Sequence, residues 1–169
     1  MTTRTSPPFR ADHVGSLLRP PELLLARREH AEGTRDAAQL TEAEDAAVRQ
    51  VVSLQEGIGL RSATDGEFRR TSWHMDFIYQ LGGIERSSDQ LVVSFKDSQG
   101  ATSFTSAALE VRGKVHLEET IFADAFRVLD AATTTAVPKL TIPSPSMVHY
   151  RSGRAAVDRT VYPDIEEFW

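Results

Sequence analysis

The chain has no cysteine among its 169 residues, which excludes disulfides and any thiolate metal site built by these residues alone. No apolar run approaches the roughly 20 residues of a membrane span, so no membrane partner is expected. A lysine and arginine stripe is also missing. The formal net charge of -5 is spread along the sequence, whereas a nucleic-acid backbone demands clustered cations, so nucleic acid is discounted as a partner. The opening run Met1 to Pro8 carries charge but no apolar segment and no small-residue cleavage site. It does not read as a secretory signal, and a cytoplasmic location is expected. Internal repeats, low-complexity tracts and flexible linkers are absent too, and this length favours one domain over residues 1–169.

What is present is an alternation of helical and strand patterns. Phe9 to Val14 reads as a weak strand ending at Gly15, and Pro20 and Pro21 open a helix that continues from Glu22 to His30. A stronger helix is expected from Thr41, in a capping box with Glu44. It carries Ala47, Val48, Val51, Val52, Leu54, Gln55 and Ile58 at three- and four-residue spacing. Gly57 and Gly59 end it, and Leu60 to Thr64 runs as a short strand into Asp65-Gly66-Glu67. A short helix is expected within Trp73 to Leu81. Strands at Leu91 to Phe95, Thr102 to Phe104 and Leu109 to Val115, with turn residues from Asp97 to Gly100, read as an inserted β-hairpin. Another helix opens at Glu119 or Thr120 and gives way to a strand from Ala136 to Ile142. Shorter helices are expected after Ser144 and over Pro163 to Trp169. The repeated order of helix, strand and polar loop is that of an α/β fold. A complete eight-stranded barrel needs roughly 200 to 250 residues, so a barrel-like pattern has room here for about half.

Three groups carry candidate chemistry. Val14-Gly15-Ser16 offers backbone amides freed by a glycine turn and a hydroxyl, a combination suited to a carboxylate, although a plain strand-ending turn has the same composition. Glu67 is a carboxylate at a strand end. It either binds a cation there, caps the next helix, or pairs with Arg69 or Arg70, while Asp65 orients the turn. His13 offers a polar contact, whereas His74, His116 and His149 show no ligand spacing. Ser144 and Ser146 suit helix capping.

The runs Arg10-Ala11-Asp12-His13-Val14-Gly15-Ser16-Leu17-Leu18-Arg19-Pro20, Thr64-Asp65-Gly66-Glu67-Phe68-Arg69-Arg70 and Pro138-Lys139-Leu140-Thr141-Ile142-Pro143-Ser144-Pro145-Ser146 together resemble the short, single-barrel branch of the cobalamin-independent methionine synthase family. The resemblance implies a partial (β/α)8 TIM barrel, about the first half, with the inserted β-hairpin and a truncation after Trp169. It also implies zinc-dependent methyl transfer to the thiol of homocysteine in the complete barrel. Val14, Gly15 and Ser16 would bind the amino-acid part of the substrate, Glu67 its ammonium, and His13 would add a polar contact. The family holds zinc with a histidine, two cysteines and a glutamate in the later half of the barrel. By that pattern this chain alone binds no zinc and activates no thiol. Family members that use methyltetrahydrofolate as methyl donor place a tryptophan shortly beyond the third run to stack on its pterin, whereas Tyr150 and Arg151 occupy that neighbourhood here. Two other readings stay open: alkylation of a different thiol, or a non-catalytic product, either a degenerate remnant or a half-barrel that associates with another chain, itself included, through open strand edges.

Overall fold

The computed structural model describes residues 6, 7, 9–97, 100–150 and 153–169, with 88–97 and 100–107 as backbone only. Its elements are α1 (Pro21–Ala31), α2 (Ala37–Gly57), β1 (Ser62–Ala63), α3 (Met75–Ile78), β2 (Leu81–Asp97), β3 (Gly100–Leu117), α4 (Ala123–Ala132) and β4 (Val137–Pro138). Three 3-10 turns follow, at Pro145–Val148, Gly153–Ala156 and Ile165–Phe168. The contacts gather into two compact units. One is formed by Met1–Trp73 with Phe122–Thr141, the other by His74–Ile121 with Ile142–Trp169. The mixed α/β character matches the expectation from sequence. No helix among the described residues is long and apolar enough to cross a membrane.

In the first unit α2 supplies the main apolar face. Its buried residues Glu44, Ala47, Val48, Val51, Val52 and Gln55 recur at the spacing that puts them on one side of a helix. Val48 and Val52 pack with Leu23, Ala63, Phe68 and Leu129. Each of the valine, leucine and phenylalanine side chains, fully withdrawn from water, contributes about 1.5 to 3 kcal/mol before the entropy of ordering is counted. The helix begins a turn earlier than its expected start at Thr41. Asp36 accepts from the Gln39 backbone N–H while the Gln39 side chain accepts from the Asp36 N–H, and Thr41 bonds back to the Ala37 carbonyl inside the helix. Both Asp36 with Gln39 and Thr41 with Glu44 satisfy the capping pattern. The first wins because Glu44 is engaged elsewhere, bonded to Arg27 at 3.0 Å and Arg69 at 3.1 Å.

The strands β1 and β4 pair in parallel, Ser62 with Val137 and Ala63 with Pro138. The Val137 N–H donates to the Arg61 carbonyl and the Lys139 N–H to that of Ala63, both at 2.8 Å. Parallel pairing brings the loop after β1 and the loop after β4 to the same end of the sheet, where α/β folds gather functional groups. The expected strand over Phe9 to Val14 does not form. That segment is held by side chains instead of a ladder. Asp12 accepts from the Ser62 hydroxyl at 2.6 Å and from the Lys139 ammonium at 2.7 Å, and His13 Nε2 bonds Gln55 Oε1 at 2.8 Å.

The second unit is built on β2 and β3, an antiparallel pair running from Leu81 opposite Leu117 to Asp97 opposite Gly100, with register shifts at Gly82/Ile84 and Arg86/Gln90. These strands are longer than the sequence pattern suggests, and Ser98 and Gln99 of the expected turn lie outside the described residues. Met75, Ile78, Ile84, Leu109, Val111, Val157 and Tyr162 form its core. The expected helix at the C-terminal end shortens to the 3-10 turn Ile165–Phe168. Ser144 stands at the N-cap of Pro145–Val148 without capping it; its hydroxyl pairs with that of Ser146 at 3.0 Å instead.

Candidate functional site

The loop after β1 is shaped by two consecutive residues in the left-handed region, Gly66 at φ 67° and Glu67 at φ 59°. A glycine takes that conformation freely, whereas a glutamate there is uncommon and needs outside support. Asp65 Oδ1 accepts the Glu67 N–H at 2.9 Å, and the Thr64 hydroxyl accepts the Gly66 N–H at 3.2 Å. Arg19 donates to the Glu67 carbonyl at 2.9 Å and to the carbonyls of Phe68 and Arg70. Gly66 is also sterically required, because a Cβ there would lie 2.6 Å from the Phe68 ring.

Glu67 is buried, 7% exposed, and so is Arg70 at 4%. Glu67 Oε1 accepts from the Thr141 hydroxyl at 2.6 Å and from Arg70 at 3.3 Å. Among the described residues, Oε2 takes no hydrogen bond. The Arg70 guanidinium is divided among several acceptors. It donates to the Thr141 carbonyl at 2.6 Å and the Trp73 carbonyl at 3.3 Å, and it stacks 4.5 Å from the centre of the Phe122 ring. The local pairing with Arg70 read from the sequence therefore exists, but as one longish contact. Arg69 turns away to Glu44 and Asp45.

The first loop joins this group directly. The Leu17 N–H donates to the Gly66 carbonyl at 3.1 Å, and the Thr64 hydroxyl donates to the Gly15 carbonyl at 2.6 Å. Gly15 is buried at φ 144°, and a Cβ there would fall 2.3 Å from the Thr141 methyl. Val14, 90% exposed, and Ser16, also exposed, stand on either side of it. His13 is half-buried, with Nε2 on Gln55. Gln55 itself is fixed, since its amide donates to the Val51 and Thr64 carbonyls while its Oε1 accepts the Thr64 N–H. Lys139 bonds the His13 carbonyl and Asp12. Hydrogen bonds from Lys139 and Ser62 hold the Asp12 carboxyl down at about 2.

The three sequence runs thus meet in one place, with His13, Gly15 and Glu67 tied into a single network. Sequence reading missed Thr141, the residue that touches both other loops. The one available signal was its position just beyond β4. Arg151 lies outside the described residues. Zinc finds no fitting donor set here. The chain has no cysteine, and no three His, Asp or Glu side chains gather as metal ligands among the described residues.

No protein-family model matches the chain. The uncharacterized Bacillus subtilis protein YxjH is 38% identical over 162 residues, which take in 96% of this chain and 41% of that protein. A second, YxjG, is 36% identical over 148 residues, or 88% of this chain and 38% of that protein. The chain therefore spans about two fifths of the length of the curated relatives it matches. Among solved structures, a Listeria monocytogenes protein provisionally named as a vitamin-B12-independent methionine synthase superposes with a TM-score of 0.74 at 34% identity, over 95% of this chain and 43% of that one. A B12-independent methionine synthase from a Shewanella species, solved in complex with selenomethionine, gives a TM-score of 0.56 at 22% identity, over 80% and 36%; at that identity the likeness is one of fold. The chain is thus similar, over less than half of that protein's length, to a Listeria protein provisionally named as a vitamin-B12-independent methionine synthase, and it shares its fold with the corresponding part of the Shewanella protein.

Proposed function

We propose that these residues are the early portion of a methionine synthase-like (β/α)8 barrel, with β2 and β3 as an insertion. In this reading they grip the amino-acid end of a sulfur amino acid, homocysteine as substrate or methionine as product. The backbone amides of the Val14-Gly15-Ser16 turn and the Ser16 hydroxyl take the carboxylate. Glu67 takes the ammonium, and His13 adds a polar contact. The observation that carries this reading is the Glu67 carboxylate, buried and held at a positive φ within direct hydrogen-bond reach of the loop after β4. A carboxylate withdrawn from bulk water binds an ammonium more strongly than one on an open surface. The selenomethionine bound by the Shewanella protein is consistent with such a ligand.

In the reaction proposed for the complete barrel the homocysteine thiol is methylated, with methyltetrahydrofolate as the donor in those family members that carry the pterin-stacking tryptophan. The contribution of the present residues is to bind and orient the amino acid; among the described residues no group of three His, Asp or Glu side chains gathers as metal ligands. The test is calorimetric titration of the chain with L-methionine. Saturable binding is expected, and Glu67→Gln should weaken it roughly 10- to 100-fold, the loss of a charged hydrogen bond of about 1.5 to 3 kcal/mol. Equal affinity in Glu67→Gln and wild type would remove Glu67 from the site.

A further inference from the structure

Thr141 makes three separate contacts, each with a different part of the network. Its hydroxyl donates to Glu67 Oε1 at 2.6 Å, its carbonyl accepts from Arg70 at 2.6 Å, and its methyl lies against Gly15 where a Cβ would stand. We infer that Thr141 is a positioning residue that aims the Glu67 carboxylate at the ammonium of the amino-acid ligand, an inference that rests on the function proposed above.

A glutamate side chain has three rotatable bonds and keeps a fixed orientation only if its oxygens are held. The Thr141 hydroxyl has one proton, and giving it to Oε1 fixes the carboxylate plane and leaves Oε2 for an incoming donor. A β-branched side chain has few χ1 choices, so the hydroxyl is itself held. Thr141 also acts on the competing cation. Were both guanidinium nitrogens of Arg70 paired with Glu67, the carboxylate would be neutralised in a bidentate fork and closed to an ammonium. Instead the Thr141 and Trp73 carbonyls take Arg70 donors. One 3.3 Å contact to Glu67 remains.

Two ligands separate this role from general support of the fold. L-methionine carries the ammonium, and 4-(methylthio)butanoate keeps the carboxylate and thioether without it. Titrated into Thr141→Val, which preserves shape and removes the hydroxyl, methionine should bind roughly 5- to 20-fold more weakly while the amine-free acid binds as to wild type. Thr141→Ser should restore methionine binding. Should Thr141→Val fail to fold, Thr141→Ser against Thr141→Ala gives the same comparison, since those two differ only by the hydroxyl. The inference falls if Thr141→Val equals wild type, if both ligands weaken together, or if serine does not restore. Glu67→Gln in the same series identifies which idea has failed. If it weakens methionine binding and Thr141→Val does not, only the positioning role is lost. If it changes nothing, or wild type binds neither ligand, the proposed function is lost and the positioning role with it.

Discussion

Substituting alanine at Gly15 tests how tightly the loops meeting at β1 and β4 are locked together. The new Cβ would stand 2.3 Å from the Thr141 methyl. A relaxed carbon contact needs at least about 3.5 Å, so something must retreat by about 1.2 Å. Thr141 yields poorly, because its hydroxyl is bonded to Glu67 and its carbonyl to Arg70, and its χ1 is stiff. Gly15 yields poorly as well, since its carbonyl receives the Thr64 hydroxyl. Two costs add. Holding an L-residue at φ 144° costs about 1 to 2 kcal/mol, and overpacking costs about 1 to 3 kcal/mol. Gly15→Ala should therefore destabilise by about 3 kcal/mol, a fall in Tm of roughly 6 to 12 °C for a chain of this size. Thermal and urea unfolding measure it, and a double-mutant cycle with Thr141→Ser divides it. Serine lacks the obstructing methyl, so the double variant should regain about 1 to 3 kcal/mol relative to the sum of the singles. A Gly15→Ala effect below about 0.5 kcal/mol, or strict additivity with Thr141→Ser, would refute the steric argument.

Glu56 and Leu129 give two further tests in the same unit. Burial raises the Glu56 carboxyl somewhat, but donation from the Ala136, Thr135 and Thr134 N–H groups and the Thr134 hydroxyl outweighs it, bringing the group from 4.5 to about 2. A lowered folded-state value stabilises above about 4.5 and loses that contribution as pH falls toward 2. Glu56→Gln should accordingly cost about 1 kcal/mol at neutral pH after allowance for solvent screening. Urea midpoints should converge with wild type in acid, and a gap independent of pH would contradict the assignment. Leu129 is fully buried while Leu54 is 61% exposed. Leu129→Ala should cost about 3 to 5 kcal/mol and Leu54→Ala about 0.5 kcal/mol or less, and equal effects in denaturant titration would mean that α4 does not pack as described.

The helices were legible because their signal is local. The spacing of Ala47, Val48, Val51, Val52 and Gln55 predicts the buried face of α2, but Leu54 and Ile58, read from sequence as part of the same set, are exposed, and the helix start was ambiguous between two residue sets that satisfy the same capping geometry. The strands were less legible because a ladder depends on its partner. The expected strand Ala136 to Ile142 shrinks to Val137–Pro138 beside the equally short β1, and proline has no N–H to extend the pairing. The segment before Gly15 failed as a strand for a related reason. Its hydrogen bonds go to Gln55, Ser62 and Lys139, side chains remote in sequence that no local pattern reveals. Gly15 and Glu67 stood out within short strings of residues, and the structure brings both against Thr141. Thr141 itself did not stand out, because its importance arises only where Glu67, Arg70 and Gly15 meet.

The backbone conformation of Glu67 ties the proposed ligand contact to the same bonds that hold the fold. Glycine at that position would relieve the positive φ but remove the carboxylate, and a glutamate in ordinary β or helical conformation would point elsewhere. The chain keeps the glutamate and supports it on three sides, with Asp65 on its N–H, Arg19 on its carbonyl and Thr141 on its side chain. Thr64 extends the support by accepting from Gly66 while donating to Gly15, so neither loop moves without disturbing the other. Ordering both loops before a ligand arrives reduces the conformational entropy lost on binding. For the amino-acid ligand proposed above, whose strong handles are its carboxylate and ammonium, loops held rigid in this way would lose less freedom on binding.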